Sequence, residues 1–370
     1  MSDNSPGKKY TSIHYNTYLQ LEKILNAQDL RSTEVGDAPA HDEMLFIITH
    51  QVYELWFKQI NYELKSVIRD FNNKNVNEVN IGIAVSRLNR IIEIMKVLVQ
   101  QIGVLETMTP LDFLDFRNYL FPASGFQSFQ FREFEVMLGL KENKRFTYND
   151  KPYNVVFDDK KKAVLGDLES SPSVFQLVEK WLERTPFLEL TDFNFLDSYR
   201  QALQNMLERE KNAIIATDVL SDEFKQLRLK MLGDTQSYFA TILDEKYHNS
   251  LINEGKINLS YKATVAALFI NLYRDEPILQ MPFRLLSSLV EMDDQLTTWR
   301  YRHAQMVMRM LGKKVGTGGS SGHEYLSETA SRHQIFRDLH NVSTLLIPRS
   351  ELQELPQSLK KKLSFAYSNL

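Results

Sequence analysis

The sequence predicts an all-α fold, and three observations carry that prediction. Only 14 glycines and 11 prolines occur in 370 residues, so the residues that break helices and make tight turns are scarce. Apolar residues recur at three- and four-residue spacing through long stretches, the pattern of a single helix face. No region reads as strand-rich, and no internal repeat or heptad run appears.

Taken in order, residues 1–9 are polar and predicted to be disordered. Ile13, Tyr15, Tyr18, Leu19, Leu21, Ile24 and Leu25 then share the face of one helix over Tyr10–Asn26. Residues 31–41 carry Gly36 and Pro39 and read as a loop. Asp42 is a suitable N-cap for a long helix to Phe71, and a second covers Val79–Glu106. Thr109-Pro110-Leu111-Asp112 is a helix start with a capping Thr, a first-position Pro and an acid at the third. That helix carries Phe113 and Arg117, and Pro122 and Gly125 break it. Another helix spans Gln127–Leu140.

Residues 141–170 read as polar and irregular, with the charged run Asp158–Lys162 as a solvated turn. Ser171-Pro172 opens a helix to Arg184. The Asp197–Lys256 stretch is helical and more polar, a small peripheral excursion. Helices resume over Ser260–Tyr273 and Pro282–Leu311. A glycine-rich loop, 312–322, leads to a last helix ending near Leu339. No linker divides the chain, so residues 10–370 read as one domain.

Composition sets limits on function. Hydrophobic residues make up 43 % and charged residues 25 %, as in ordinary soluble proteins. The net charge of −3 provides no basic field for nucleic acid or an anionic membrane. The first residues lack an apolar signal core. The most apolar run, Thr264–Tyr273, is far shorter than the roughly 20 residues of a membrane span. A cytoplasmic location is expected. The chain has no cysteine, which excludes disulfides, a zinc ribbon, a Cys-ligated iron–sulfur cluster, a catalytic thiol and covalently attached c-type haem. Any metal is then held by His or carboxylate.

Five of the 14 glycines fall within residues 312–322. No Gly-Lys-Ser/Thr follows and a helix precedes, so a phosphate cradle does not fit. A lid closing on a ligand and a plain connector both remain open. Among the eight histidines there is no HExxH motif. His333 and His340 read as a surface pair. Helical spacing aligns Phe46, His50, Tyr53 and Phe57 on one stripe, where a buried imidazole needs a partner. It also aligns Trp299, His303, Met306, Val307 and Met310. A lone His among large soft side chains suits a proximal haem ligand or a core histidine. Arg117, one turn after Phe113, suits a carboxylate clamp or a structural ion pair.

Several blocks in fixed order carry a resemblance: HDEMLFIITHQVYELWFKQI (41–60), LETMTPLDFLDFRNYLFPASGFQSFQFR (105–132), WLERTP (181–186), TTWRYRHAQMVMRMLG (297–312) and GTGGSSG (316–322). From about Tyr15 to Arg349 the chain resembles the tryptophan 2,3-dioxygenase family of haem enzymes. The resemblance implies an all-α haem-binding bundle, a homotetramer built as a dimer of dimers and one b-type haem per subunit. The reaction it implies inserts O₂ across the indole C2–C3 bond of L-tryptophan. The product is N-formyl-L-kynurenine, the first step of tryptophan degradation by the kynurenine pathway.

Position by position, His303 resembles the proximal ligand of the haem iron, with Trp299 and Tyr325 in the haem pocket. His50 resembles the distal, catalytic histidine that meets the indole N–H. Phe46 resembles a wall of the indole pocket, and Arg117 the partner of the substrate carboxylate. Thr317, Ser124 and Gly125 resemble further substrate contacts. Tyr15 and Tyr18 resemble N-terminal tyrosines that complete a neighbouring subunit's active site. Two positions depart from the pattern. His323 stands where an aromatic residue is commoner, which bears on loop closure. Arg302 stands where Asn is commoner, which bears on the proximal side of the haem. A haem sensor without turnover would keep the histidines, but it has no use for a clamp at Arg117.

Overall fold

Three apolar-striped segments form the three longest helices, and the remaining chain packs around them. The structure, a computed structural model, describes residues 11–36, 38–142, 145, 152–186, 188–190, 193–312, 314 and 322–363. Its helices run α1 (Tyr15–Leu19), α2 (Leu21–Leu25), α3 (Arg31–Val35), α4 (His41–Phe71), α5 (Glu78–Leu105), α6 (Pro110–Arg117), α7 (Phe129–Leu138), α8 (Asp159–Ser170) and α9 (Val174–Leu182). They continue with α10 (Phe195–Ala216), α11 (Asp222–Leu243), α12 (Glu245–Asn253), α13 (Tyr261–Leu272), α14 (Gln280–Leu311), α15 (Gly322–Arg332), α16 (Arg337–Asn341) and α17 (Gln357–Leu363). Among the described residues the only strands are the antiparallel pair β1 (Glu189–Leu190) and β2 (Phe193–Asn194). The all-α prediction holds.

α5 packs against both α4 and α14. Leu64 of α4, Leu88 and Leu98 of α5 and Leu289 of α14 are sealed from solvent along these seams. Each such side chain contributes about 1.5–3 kcal/mol by leaving water. α7 lies against α4 and α15 against α14, so the two long helices carry the walls of one cavity. Capping boxes start α5 at Asn77 with Asn80, α6 at Thr109 with Asp112, and α9 at Ser173 with Gln176. Each satisfies backbone N–H groups that the first helical turn leaves without partners. Among the described residues no helix is long and apolar enough to cross a membrane.

Several expectations are corrected. The helix predicted over Tyr10–Asn26 is two short helices. Gln20 between them takes a left-handed conformation with φ 54°, and no residue of either helix is buried. The loop predicted at 31–41 contains α3. Glu43, on the next helix, accepts from Arg31 N and Ser32 N at 2.8 and 2.9 Å, a cap from outside that local sequence does not show. The charged run at Asp158–Lys162 is the first turn of α8. Asp158 caps it by accepting from Lys161 N at 2.9 Å, and Leu165 anchors it in the interior.

The last predicted helix is interrupted between α15 and α16. Asp293 of α14 accepts from Ile335 N and Phe336 N at 3.2 and 2.9 Å, which diverts the backbone there. His333 is therefore buried at 2 % exposure, and it shares neither a helix nor a surface with His340. The predicted disorder of residues 1–9 and the body of the glycine-rich loop lie outside the described residues.

Candidate active site

Helical spacing on α4 and α14 aims two stripes at one space. The Phe46–His50–Tyr53–Phe57 stripe and the Trp299–His303–Met306–Val307–Met310 stripe both line a cavity of about 570 Å³. The helices run antiparallel across it. At one end Phe46 packs on Phe113 and Phe116, with ring centroids 5.7 and 5.5 Å away, and Met310 joins this cluster. At the other end Phe57 meets Trp299 edge-on at 6.0 Å. Eleven residues of helix separate Phe46 from Phe57, about 16 Å.

His50 sits one turn from Phe46, their rings 4.1 Å apart. Its Nδ1 is 2.7 Å from the Phe46 carbonyl oxygen. A carbonyl oxygen only accepts, so Nδ1 carries the proton and the neutral ring keeps Nε2 as an acceptor. Burial among protein groups holds this imidazole below its ordinary pKa of 6.5, because the charged form would lose its hydration. What remains open of the ring faces the cavity.

His303 faces the same cavity from α14. Trp299 stacks on it at 5.3 Å with ring planes 11° apart. Among the described residues no hydrogen bond ties its ring nitrogens. Burial brings its pKa down to about 4, with the charge of His50 a smaller contribution. A neutral imidazole with an uncommitted lone pair can ligate a metal. Among the described residues no three His, Asp or Glu side chains converge to hold a bare ion, so this histidine would act alone.

Arg117, at the last turn of α6, and Ser124 and Gly125, which follow it, form another wall. Ser124 Oγ accepts from Phe126 N at 3.4 Å, and Phe126 packs on Tyr325 of α15 at 5.1 Å. Phe46, His50, Arg117, Ser124, Gly125, Trp299, His303 and Tyr325 thus all line the cavity. Thr317 lies outside the described residues, although Leu311 before it and Tyr325 after it both line the cavity. Gly312 ends α14 with φ 58°, a left-handed conformation that glycine adopts without strain. Tyr15 and Tyr18 point to solvent at 67 and 70 % exposure and do not line this cavity.

The two unusual residues have local partners. Arg302 Nη2 donates to Glu106 at 3.0 Å, turning toward the end of α5. His323 Nε2 is 3.4 Å from Ser327 Oγ.

Sequence reasoning missed a charged wall at the Trp299 end. Glu135 Oε2 pairs with Arg132 Nη1 at 2.8 Å and Arg145 Nη1 at 2.6 Å. Its Oε1 pairs with Arg300 Nη2 at 2.8 Å. Arg300 Nη1 also donates to the His333 carbonyl at 2.8 Å. Arg132, Glu135, Arg300 and His333 all line the cavity. Burial alone would raise the Glu135 carboxyl, but Arg145, Arg132 and Arg300 together hold it well below the usual carboxylate range. Arg300, three residues before His303, and the Arg132–Glu135 pair were visible as charges on apolar helix faces. Glu54, one turn after His50, is a further cavity carboxyl, and burial pushes its pKa up.

Comparison with known proteins follows the same outline. A model of the family described as tryptophan 2,3-dioxygenase matches residues 2–346. The chain is 50 % identical over 359 residues to a protein of Bdellovibrio bacteriovorus named tryptophan 2,3-dioxygenase, covering 97 % of this chain and 100 % of that one. The likenamed protein of Alteromonas mediterranea is 48 % identical, covering 97 and 99 %. The mouse protein of that name is 46 % identical, covering 98 and 91 %.

Proposed function

The chain belongs to the tryptophan 2,3-dioxygenase family, and from that premise we propose that the cavity between α4 and α14 is its active site. The enzyme is a haem b-dependent dioxygenase. It inserts both atoms of O₂ across the indole C2–C3 bond of L-tryptophan to give N-formyl-L-kynurenine, the entry to the kynurenine pathway. The observation that carries the site assignment is a pair of histidines on opposite helices of one cavity: His50 with Nδ1 engaged, His303 with its ring untied.

These residues fit haem b. His303 is neutral and unbonded, Trp299 holds its ring plane, and most of the surrounding wall is apolar. His303 would ligate the iron. Haem, when bound, supplies O₂ binding and activation.

The protein's part is to bind, orient and dry the substrate. Arg117 takes the tryptophan carboxylate as a charge-assisted pair. Phe46 and its aromatic neighbours form the apolar wall against the indole. The Nε2 of His50 accepts the indole N–H, because Phe46 already holds the Nδ1 proton. Substrates without the amino-acid head forgo the charge-assisted contact with Arg117, which disfavours them. Ser124, Gly125 and Thr317 complete the grip on that head, and Tyr325 and Trp299 the haem pocket.

The reading extends to a homotetramer, a dimer of dimers, in which Tyr15 and Tyr18 complete a neighbour's site. The exposure of both tyrosines and the lack of buried residues in α1 and α2 support it. The reading takes residues 10–370 as one catalytic unit acting in the cytoplasm.

Substitution His303→Ala tests the centre of this reading. The variant should lose haem and with it the ferrous Soret band, while the wild type forms N-formyl-L-kynurenine when L-tryptophan and oxygen are added. A variant that keeps a normal five-coordinate ferrous spectrum would exclude His303 as the ligand. Deleting residues 1–20 should leave a haem-loaded oligomer with impaired turnover, and full activity would remove Tyr15 and Tyr18 from the site.

A further inference from the structure

The chain before α4 is held by polar ties more than by apolar burial. α1 and α2 bury no residue, and α3 buries only Ser32. Two residues of α4 hold this segment. Gln51, next to His50, donates from Nε2 to the Ala27 carbonyl at 2.8 Å and accepts from Gln28 Nε2 at 2.7 Å. Glu43 lies eight residues earlier on the helix, about 12 Å away. It accepts from Arg31 N at 2.8 Å, from Ser32 N at 2.9 Å and from Ser32 Oγ at 2.5 Å. Ser32 Oγ also accepts from Ala40 N at 2.9 Å. Glu43 and Ser32 are 1 and 0 % exposed, so a buried carboxylate and a buried hydroxyl both serve to fix α3. Each such bond adds about 0.5–3 kcal/mol net, but it is directional, and together they set where α3 stands.

What α3 stands against is the turn that carries Arg117. It packs on the 3₁₀ turn Asn118–Leu120, which continues directly from Arg117. The approach is closest at Gly36, the C-cap of α3. A Cβ there would lie 2.6 Å from the Ser32 carbonyl oxygen and 3.2 Å from the Tyr119 hydroxyl, so glycine lets Tyr119 come this near. Tyr119, Leu120 and Ala40 all pack on the cluster at the Phe46 end, and Leu120 and Arg117 both line the cavity. A continuous series of contacts thus runs from Glu43 through Ser32 and Gly36 to Tyr119, two residues from Arg117.

We propose that residues 27–36 form a strap that positions Arg117 for the tryptophan carboxylate, with Glu43, Ser32, Gly36 and Tyr119 as positioning residues. The inference rests on the reading of Arg117 as the carboxylate partner. It adds that the clamp is aimed from outside α6, by a segment tied to α4. Glu43 lies three residues before Phe46 on α4, so the same tie registers the clamp against the indole wall. A guanidinium pairs well with a carboxylate only over a narrow range of orientation. Loosening the strap therefore misaligns the carboxylate contact and leaves the indole contacts in place.

The test is equilibrium dialysis of two ligands against full-length holoenzyme in the absence of oxygen. One is L-tryptophan, and the other is tryptamine, which keeps the indole and the ammonium but lacks the carboxylate. Ser32→Ala removes the hydroxyl that joins Glu43 to Ala40, and Gly36→Ala pushes a methyl group between Ser32 and Tyr119. Each should weaken L-tryptophan binding by about 10-fold, the scale of one charge-assisted hydrogen bond. Each should change tryptamine binding by less than about 2-fold. With Arg117→Ala already in place, either substitution should weaken L-tryptophan binding by less than about 2-fold, because the group it positions is gone. Unchanged L-tryptophan binding in both variants overturns the proposal. Equal weakening of both ligands also overturns it, since the strap then supports the pocket as a whole, and so does full additivity with Arg117→Ala. Failure of the carboxylate reading itself looks different, since Arg117→Ala alone would then leave L-tryptophan binding unchanged.

Discussion

The two ends of the cavity solve different binding problems. At the Phe46 end Arg117 is half-buried on the cavity wall, at the end of the helix whose Phe113 and Phe116 pack on Phe46. At the Trp299 end three guanidiniums are buried around Glu135. A ligand that must enter and leave each cycle is served by one charge beside an apolar wall, where the free state is not too strained. On the proposed reading the half-buried Arg117 serves the ligand that exchanges, while the buried cluster around Glu135 fixes the framework at the opposite end.

The sharpest way to break this comparison is Glu135→Ala. It would leave three buried guanidiniums with no counter-charge and should cost about 3–5 kcal/mol, as expected when one member of a buried ion cluster is removed. Urea denaturation of wild type and variant measures it. A loss below about 1 kcal/mol would mean that the wall is balanced by other groups. Arg117→Ala tests the opposite end. Tryptophan affinity should fall by about 2–5 kcal/mol while the rate of haem loss stays as in the wild type. A changed haem loss rate with unchanged tryptophan binding would exchange the roles of the two ends.

Much of the Phe46 end was legible in the sequence, and little of the Trp299 end was. The stripes on α4 and α14 follow from helical spacing alone, and α6 announces itself through Thr109, Pro110 and Asp112. Those signals lie within a few residues of the groups they organise. The Glu135–Arg300 pair joins residues 165 positions apart, which no local pattern reveals. The same reason hid α3, whose cap comes from Glu43, and the break before α16, held by Asp293. At Gln20 periodicity predicted one continuous helix, yet in the isolated chain neither α1 nor α2 buries a residue. Thr317, Tyr15 and Tyr18 entered only through family resemblance. Their proposed contacts involve a segment outside the described residues or another subunit.

Acid sensitivity sharpens the contrast at the Trp299 end. Burial, and then the charge of Arg300, bring His333 down to about 3 from an ordinary 6.5. The unfolded chain therefore takes up this proton first, and stability falls as the pH drops from 6.5 toward 3. The contribution of His333 should reach about 2 kcal/mol by pH 5. His333→Gln removes the titrating group, so its stability loss between pH 7 and pH 5 should be smaller than that of the wild type by that amount. Equal losses would mean that His333 is solvated. His50 offers a parallel at the other end. If Nε2 accepts the indole N–H as proposed, the depressed pKa puts the acid loss of tryptophan binding below pH 6.5, because protonating Nε2 abolishes the acceptor.

Arg302→Asn gives the smallest expected effect and tests whether proximity in sequence matters. Arg302 adjoins His303, so a charge argument based on sequence alone would make it the main electrostatic influence on the iron. Its guanidinium instead pairs with Glu106, and the two side chains are 40 and 24 % exposed. Such a pair is screened by water and contributes about 0.2–1 kcal/mol. The variant should lose no more than that in urea denaturation and should retain haem b against apomyoglobin as the wild type does. Haem lost markedly faster than from the wild type would show that charge beside the proposed iron ligand helps to retain the cofactor.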